Sequence, residues 1–519
     1  MWSPASSAPP DARPGRDTRI RRASLHINLG SNLLGFAVQA VTTFALTPII
    51  LGGLGPYNYG LWSIIVGLTG YYGLFDLGLR AGLTQYLTRH LATDDVDGLN
   101  RTLSTGVLAM SSIGIAAALL GAAFAYYAPG HFGLPVSASN AMRWAIFVAG
   151  LSISVQFVLF PFGALLPAVE RFDLANGIGV ATRLLTFAST WLVMSRGGGL
   201  VSLSIIVLAT TAVDYAWRTA VAFRLVPRIR VSFRLASRRT LSELASYGFW
   251  NATIAAGIRV ISYTDSIVIG AALGAAAVAP FAIAGSLVNY FAEAIIAVTQ
   301  VFFPAMTRVD ARQDPEALKQ LYVTGSRLTL LLVVVGVILI ALFSGDFLRL
   351  WVGADLGPQV EDANTILQVL LFAAGCSAWQ RVGCQVLLAT RRVPLLAKLF
   401  AAEAAANIVL SILLVRRFGA IGVALGTLLP SMVFNLLVNP VLVCRRIGLR
   451  VGDYLAAVVP RPAATAVLVA AVGLLCRPSG HAASWPDLMT GALRVAVAAS
   501  VVIAIMWTRT LRRLAATST

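Results

Sequence analysis

Of 519 residues, 58% are hydrophobic and only 12% are charged, with a mean hydropathy of +0.79. A soluble domain carries roughly 25% charged residues, and no soluble core could absorb this much apolar chain, so the sequence describes an integral membrane protein. Forty basic against 22 acidic residues leave a net charge of +18. In a soluble chain that excess would point to nucleic acid; here the positions of the cations decide between nucleic-acid binding and membrane topology.

The chain opens on a leader, residues 1–24, rich in Pro, Ser and Arg and expected to be disordered and basic. The apolar run behind it is too long for a signal peptide and lacks a small-residue cleavage pattern, so it is expected to be a retained first span. A bilayer core needs about 20 apolar residues per helix. On that measure fourteen spans are expected, near 27–51, 58–87, 102–127, 141–166, 172–194, 199–223, 241–271, 275–304, 324–345, 362–389, 395–415, 420–443, 454–476 and 487–508.

Arginines set the orientation. Those of the leader, then Arg89 and Arg101, the run Arg224 to Arg239, Arg308 and Arg312, Arg391 and Arg392, Arg445, Arg446 and Arg450, and finally Arg509, Arg512 and Arg513 all fall on one side of the predicted membrane. Opposite loops such as "GGLGPYN" and "ALGAAAVAP" hold no cation, and one is acidic, with Asp346, Asp355, Glu361 and Asp362 against Arg349. Positive charge stays inside, so both termini are expected in the cytoplasm, and the surplus charge is topological rather than a nucleic-acid footprint. Arg416 and Arg417 dissent, falling outside on this count. The four cysteines, Cys376, Cys384, Cys444 and Cys476, form no CxxC pair and read as small packing residues. No metal or cofactor is expected.

A faint internal echo lays "NLGSNLLGFAVQAVTTFALTPIILGGLG" on "SYGFWNATIAAGIRVISYTDSIVIGAALG", matching Gly30 to Gly248 and Gly52 to Gly270. Both copies run inside to outside, which would make them parallel repeats. The expected architecture is all-α, with about 14 transmembrane helices in two pseudo-symmetric six-helix lobes plus two C-terminal helices. The lobes would be residues 25–225 and 226–445, followed by two spans and a short cytoplasmic tail over 446–519.

Charges inside spans are rare and costly, and are functional candidates by default. Asp76 with Arg80, and Asp214 with Arg218, stand one helical turn apart and can neutralise each other. Locally unpaired charges are Arg183, Arg259, Arg381, Asp265 and Glu293, with Arg259 deep in the seventh span. Glu403, near the start of the eleventh span, reads as a helix-packing charge. Tyr71 and Tyr72 read as internal packing or hydrogen-bonding residues, and Gly422 with Gly426 as a small-residue packing pair. Asn100-Arg-Thr matches a glycosylation pattern but lies on the predicted cytoplasmic side.

Residues 28–89 resemble the opening of the Wzx-type polysaccharide and O-antigen flippases, the exporter branch of the multidrug/oligosaccharidyl-lipid/polysaccharide transporter superfamily. The likeness rests on "LGGLGPYNYGLWSII", with the family's Gly-Pro-x-x-Tyr-Gly pattern, and on "LFDLGLRAGLTQYLTRHLA". "YTDSIVIGAALGAAAVAPFAIAGSLVN" with "FFPAMTR" resembles the start of the family's second lobe, and "RRFGAIGVALGTLLPSMVFNLLV" its twelfth helix. "AAAVAPF" departs from the family, which usually shows a Gly-Tyr pair there.

The resemblance implies a transporter, not an enzyme, in the bacterial cytoplasmic membrane. It would move a polyprenyl-diphosphate-linked oligosaccharide from the inner to the outer leaflet by alternating access, its prenyl tail in membrane lipid. Polysaccharide polymerase and glycosyltransferases would be its partners. Arginine suits a diphosphate because its planar fork donates paired hydrogen bonds. The substrate-binding candidates are therefore Arg259, Arg183, Arg381 and Arg80, and the coupling or gating candidates Asp265, Glu293 and Asp76. The alternatives are a drug/cation antiporter or lipid-linked peptidoglycan precursor flippase of the same superfamily, or a membrane glycosyltransferase or polymerase. An enzyme of that last kind should carry carboxylates in its first outer loop, and "GGLGPYN" has none.

Overall fold

The structure, a computed structural model, describes residues 25–517 except 77, 132–135 and 478–479. The basic leader and part of the loop after the third span lie outside the described residues. Among the described residues every regular element is helical. Eleven helices among the described residues are long and apolar enough to cross a membrane. Two of them are each split by a glycine, and the broken helix Gln359–Trp379 and Arg381–Ala389 is a further crossing, which yields the fourteen expected.

Span 1 (25–54) and span 2 (56–70) are one continuous helix, Leu25–Gly70, except at Gly55, where φ is 74° and ψ 162°. Only glycine adopts that backbone cheaply, and Pro56 then starts the second helix with its φ already set. Span 2 runs on through the 3-10 turn Tyr71–Asp76 into Leu79–Ala92. Span 3 is Val96–Tyr127, span 4 Val136–Gly163, span 5 Phe172–Ser195 and span 6 Leu200–Leu225. Span 7, Arg238–Leu273, ends at Gly274, with φ 88° and ψ 168°. The internal echo has a backbone counterpart one residue out of register: Gly274 repeats the conformation of Gly55, each after a leucine.

Span 8 is Val278–Thr299 with Phe302–Ala311, span 9 Pro315–Leu356, and span 10 the broken helix 359–389. Span 9 overshoots its apolar stretch at both ends because its stops lie outside it. Asp314 caps the start by accepting from the Ala317 N–H at 2.9 Å, Pro315 opens the first turn, and Gly357 ends it at φ 56°. Spans 11 and 12 share Val393–Ser431, broken at Gly419 (φ 61°), and span 12 continues through the π-helical Met432–Val438 to Asn439–Ile447. Span 13 is Val451–Val458 with Pro460–Cys476, and span 14 Trp485–Thr517.

Spans 3, 4, 5 and 6 pack on one another and on span 1, while spans 7 to 12 pack through 7 on 11–12, 8 on 10, 9 on 10 and 10 on 12. Spans 13 and 14 pair with each other and lean on span 9. The connection between the halves is zipped to span 3. Asn100 donates to Arg228 O at 3.3 Å and accepts from Arg230 N–H at 2.8 Å, and Ser104 and Thr105 accept from the Ser232 and Ser237 N–H groups at 3.2 and 3.1 Å. Asn100 of the Asn100-Arg-Thr pattern thus serves, with Ser104 and Thr105, as a buried side chain satisfying linker backbone.

The halves meet chiefly through spans 1 and 2 against 7, 8 and 9. At the end bearing the glycine turns, Gly60 sits so close to the backbone of Ala275 that no β-carbon would fit. There Phe44 stacks on Trp351 (4.5 Å, 15°), whose indole N–H donates to Phe44 O at 3.3 Å. This end is sealed. Gly419 approaches the Leu273 side chain at the same end, so Arg416 and Arg417 lie there too. A cysteine at 416 in an otherwise cysteine-free chain is expected to react with an impermeant maleimide from outside intact cells; protection there and reaction from the cytoplasm would shift the topology. Gly422 and Gly426 pack within the pair, against Leu414 and Ser411, as small residues do between close helices. All four cysteines are free.

Candidate functional site: charges on the seam between the halves

Below the seal, span 2 loosens from α to 3-10 geometry at Tyr71–Asp76. Gly67, Gly70 and Gly73 bring this stretch against span 7, leaving no room for β-carbons at 70 and 73 against Tyr263 and Arg259. Arg259 reaches across from span 7, and its Nη1 donates to Gly70 O at 3.3 Å. Asp76 lies within electrostatic reach of the same guanidinium and accepts from the Arg80 backbone N–H at 2.9 Å. Tyr71 and Thr264 hydroxyls pair across the same seam, and Tyr72 is buried, as expected for internal packing.

Arg259 thus partners neither Asp265 nor Glu293. It is half-buried between the halves, with one bond to a neutral carbonyl and a carboxylate nearby. A fork with five donors so lightly engaged retains capacity for an anion.

A second group faces the seam from the other flank. Arg183 of span 5 lies in the field of Tyr290 and Glu293 of span 8 and of Asp214 of span 6. Glu293 is exposed although it sits well inside a membrane-crossing helix. An exposed carboxylate at that depth requires water rather than lipid beside it.

Arg80 is spent inside the first half. Its guanidinium lies between the rings of Phe157 and Phe160, 4.7 and 4.6 Å from their centroids, and donates to Gln156 Oε1 at 3.0 Å, with Asp76 Oδ2 only at 3.9 Å. Arg80→Lys is expected to lower stability by about 1–2 kcal/mol, read as a thermal shift, with transport largely kept; unchanged stability with lost transport would return Arg80 to the substrate path. Asp214 and Arg218 form a two-point pair at 2.6 and 3.2 Å, tied to span 5 by the Thr182 hydroxyl at 2.9 Å.

Within the second half, a cavity of about 210 Å³ is lined by Asp265, Arg381, Glu403, Ser377 and Asn289 among apolar side chains. Asp265 is 4% exposed, accepting from Thr427 Oγ1 at 2.8 Å and Ser411 Oγ at 3.3 Å. Asn407 donates to Thr427 at 3.0 Å, while its own Oδ1 has no hydrogen-bond partner. That cluster of oxygens suits a proton or a small monovalent cation better than a transition metal, and among the described residues no group of three His, Cys, Asp or Glu side chains is assembled for one.

Glu403 ties span 11 to span 12, as a helix-packing charge would, but it is buried rather than shallow: it is 8% exposed, lines the cavity, and accepts from Asn435 Nδ2 at 2.9 Å. Asn435 sits in the π-helical stretch of span 12, a local underwinding that hydropathy does not encode.

Fourteen helices with paired breaks at Gly55 and Gly274 and a charged seam between two halves define an all-helical membrane protein with the fold of the MOP transporter superfamily. That fold is matched by the lipid II flippase MurJ in an inward closed conformation, with a TM-score of 0.74, 13% identity, and 92% of this chain and 100% of that one covered. An inward-facing multidrug resistance MATE family transporter matches with a TM-score of 0.71 and 15% identity over 82% of this chain and 98% of that one. The chain belongs to the Polysaccharide biosynthesis protein family, which it matches over residues 54–360, more than half its length. It is also 22% identical over 404 residues to a Shigella flexneri protein named "Putative O-antigen transporter", covering 76% of this chain and 92% of that one.

Proposed function

We propose that this protein moves a polyprenyl-diphosphate-linked oligosaccharide from the inner to the outer leaflet of the bacterial cytoplasmic membrane, both termini being cytoplasmic. The observation that carries the reading is Arg259, a half-buried guanidinium at membrane depth that bridges the two halves through a single backbone carbonyl. Hiding about two negative charges and many hydroxyls from hydrocarbon needs a wet passage with cationic forks in it. Arg259 on one flank and Arg183 on the other supply forks, and the prenyl tail stays in lipid. Membership of a polysaccharide biosynthesis family and likeness to an O-antigen transporter support that substrate class over a drug or a metal ion.

The lobes 25–225 and 226–445 rock about the seam, the Gly60–Ala275 and Phe44–Trp351 contacts opening as the other end closes. Arg381, Asp265 and Glu293 serve coupling or the inner vestibule, and Asp76 gates Arg259. Depleting the protein tests the assignment: lipid-linked repeat units that are complete and accessible only from the inner leaflet support a flippase. Incomplete units point to a sugar-transferring enzyme, and accumulation of peptidoglycan precursor instead points to that flippase class.

A further inference from the structure

Span 12 carries Thr427, Ser431, Asn435 and Asn439, one polar side chain every four residues. In a regular α-helix that spacing drifts around the axis by about 40° per step. The π-helical turns Met432–Val438 unwind the helix and keep the row on one face. The row lies inside the second half. Ser431 pairs with Ser377 at 2.8 Å, Asn435 holds Glu403 at 2.9 Å, and Asn439 donates to Cys384 Sγ at 3.5 Å.

Beyond Asn439, toward the arginine-rich loops, the row meets a buried polar cluster with missing partners. Tyr322 and Tyr454 are fully buried and stacked at 4.7 Å and 5°. The Tyr454 hydroxyl faces Tyr322, Ser326 and Gln380. These hydroxyls and the amide lie within reach of one another, yet none of Tyr322, Ser326, Tyr454 and Gln380 makes a well-aligned side-chain hydrogen bond, and the Trp379 indole N–H and Asn439 Oδ1 are likewise buried without a partner. Gln380 is 0% exposed and sits at the break of span 10, directly before Arg381. Gly383 permits close packing there: Asn439 Oδ1 and Gln380 Oε1 lie 2.9 and 3.2 Å from where a β-carbon would be, too near to admit one. Two buried acceptor oxygens on neighbouring helices, neither with a hydrogen-bond partner, need donors. Native interiors satisfy such groups, with ordered water where protein does not.

We propose that spans 9, 10, 12 and 13 enclose a water-filled conduit that delivers protons from the arginine-rich end to the Glu403 carboxylate. A proton leaves bulk water, and each hydroxyl or water oxygen along Tyr454, Tyr322 and Ser326 takes one proton and gives up another. The Gln380 and Asn439 amides orient the waters between and release nothing. The last transfer forms one O–H bond on Glu403. Facing Glu403 are the Arg381 guanidinium and the Cys384 thiol from span 10, with Asn435 from span 12; Asp265 lines the same cavity, facing Tyr71 across the seam. The conduit does not depend on which head group the protein moves.

Infrared hydrogen–deuterium exchange on the full-length protein in lipid bilayers tests it. A carboxylic acid band that disappears in Glu403→Gln reports the terminus, and its shift after transfer to deuterated buffer reports delivery. Tyr454→Phe, which keeps the ring stack, and Gln380→Leu are each expected to slow that shift by about ten-fold, the effect of one lost relay hydrogen bond. Ser204→Ala, a buried hydroxyl in span 6, is expected to leave it unchanged. Wild-type rates in both conduit variants, equal slowing in Ser204→Ala, or no Glu403-dependent acid band from mildly acidic to neutral pH would each overturn the proposal.

Discussion

Arg259→Ala is expected to abolish surface polysaccharide while the protein remains inserted and stable. The guanidinium makes one bond, to Gly70 O at 3.3 Å, and truncation leaves a carbonyl in a seam that water reaches, so the structural cost is small. The functional cost is not. Each charge-assisted hydrogen bond to a diphosphate is worth about 1.5–3 kcal/mol, and losing a two-point contact slows translocation by about 100-fold or more. Arg259→Lys keeps the charge and loses the fork, so it is expected to retain a minor fraction of activity. Glycan export in intact cells, alongside membrane levels of the variant, checks both. Undiminished export in Arg259→Ala removes this residue from the transport path.

Gly60→Ala is expected to be as damaging for a different reason. A β-carbon at 60 would strike the Ala275 carbonyl, and backbone cannot swing aside as a flexible side chain would. The seal would fail to form, trapping the protein open at that end. Transport is expected to fall by about ten-fold or more, because a state raised by about 1.4 kcal/mol is ten-fold less populated. A short bismaleimide between cysteines at 44 and 351, whose rings stack at 4.5 Å in the sealed state, is expected to bridge readily with glycine at 60 and poorly with alanine. Equal bridging and normal transport would mean that the contact yields without consequence.

The spans were legible because a bilayer demands long apolar helices, and that demand is written residue by residue. The Gly-Pro-x-x-Tyr-Gly pattern was legible too, and each part now has a reason. Gly55 takes the positive φ of the turn, Pro56 starts span 2, Tyr59 is buried, and Gly60 admits the opposite half. What stayed hidden depends on which helix faces which. Arg259 meets a backbone carbonyl of the other half, a partner with no sequence signature. Glu403 looked shallow by position, and only the π-helical turn that aims Asn435 at it discloses a buried role. The break at Gln380 falls in an unremarkable run, since hydropathy measures affinity for lipid and not the loss of a helical hydrogen bond. Arg80 and Arg218, alike in sequence, part ways through neighbours: two phenylalanines and a glutamine for one, a two-point carboxylate for the other.

An anion carried outward through a wet seam must feel the membrane potential, by about 2.3 kcal/mol per charge per 100 mV. The most direct measurement is therefore the flipping rate of a fluorescent polyprenyl-diphosphate oligosaccharide in proteoliposomes, with a potential imposed at constant pH. A potential that favours movement of negative charge from the arginine-rich side is expected to raise the rate, reversing the potential to lower it, and Arg259→Ala to abolish both. A rate indifferent to potential and unchanged in the variant would contradict passage of a charged head group along this seam.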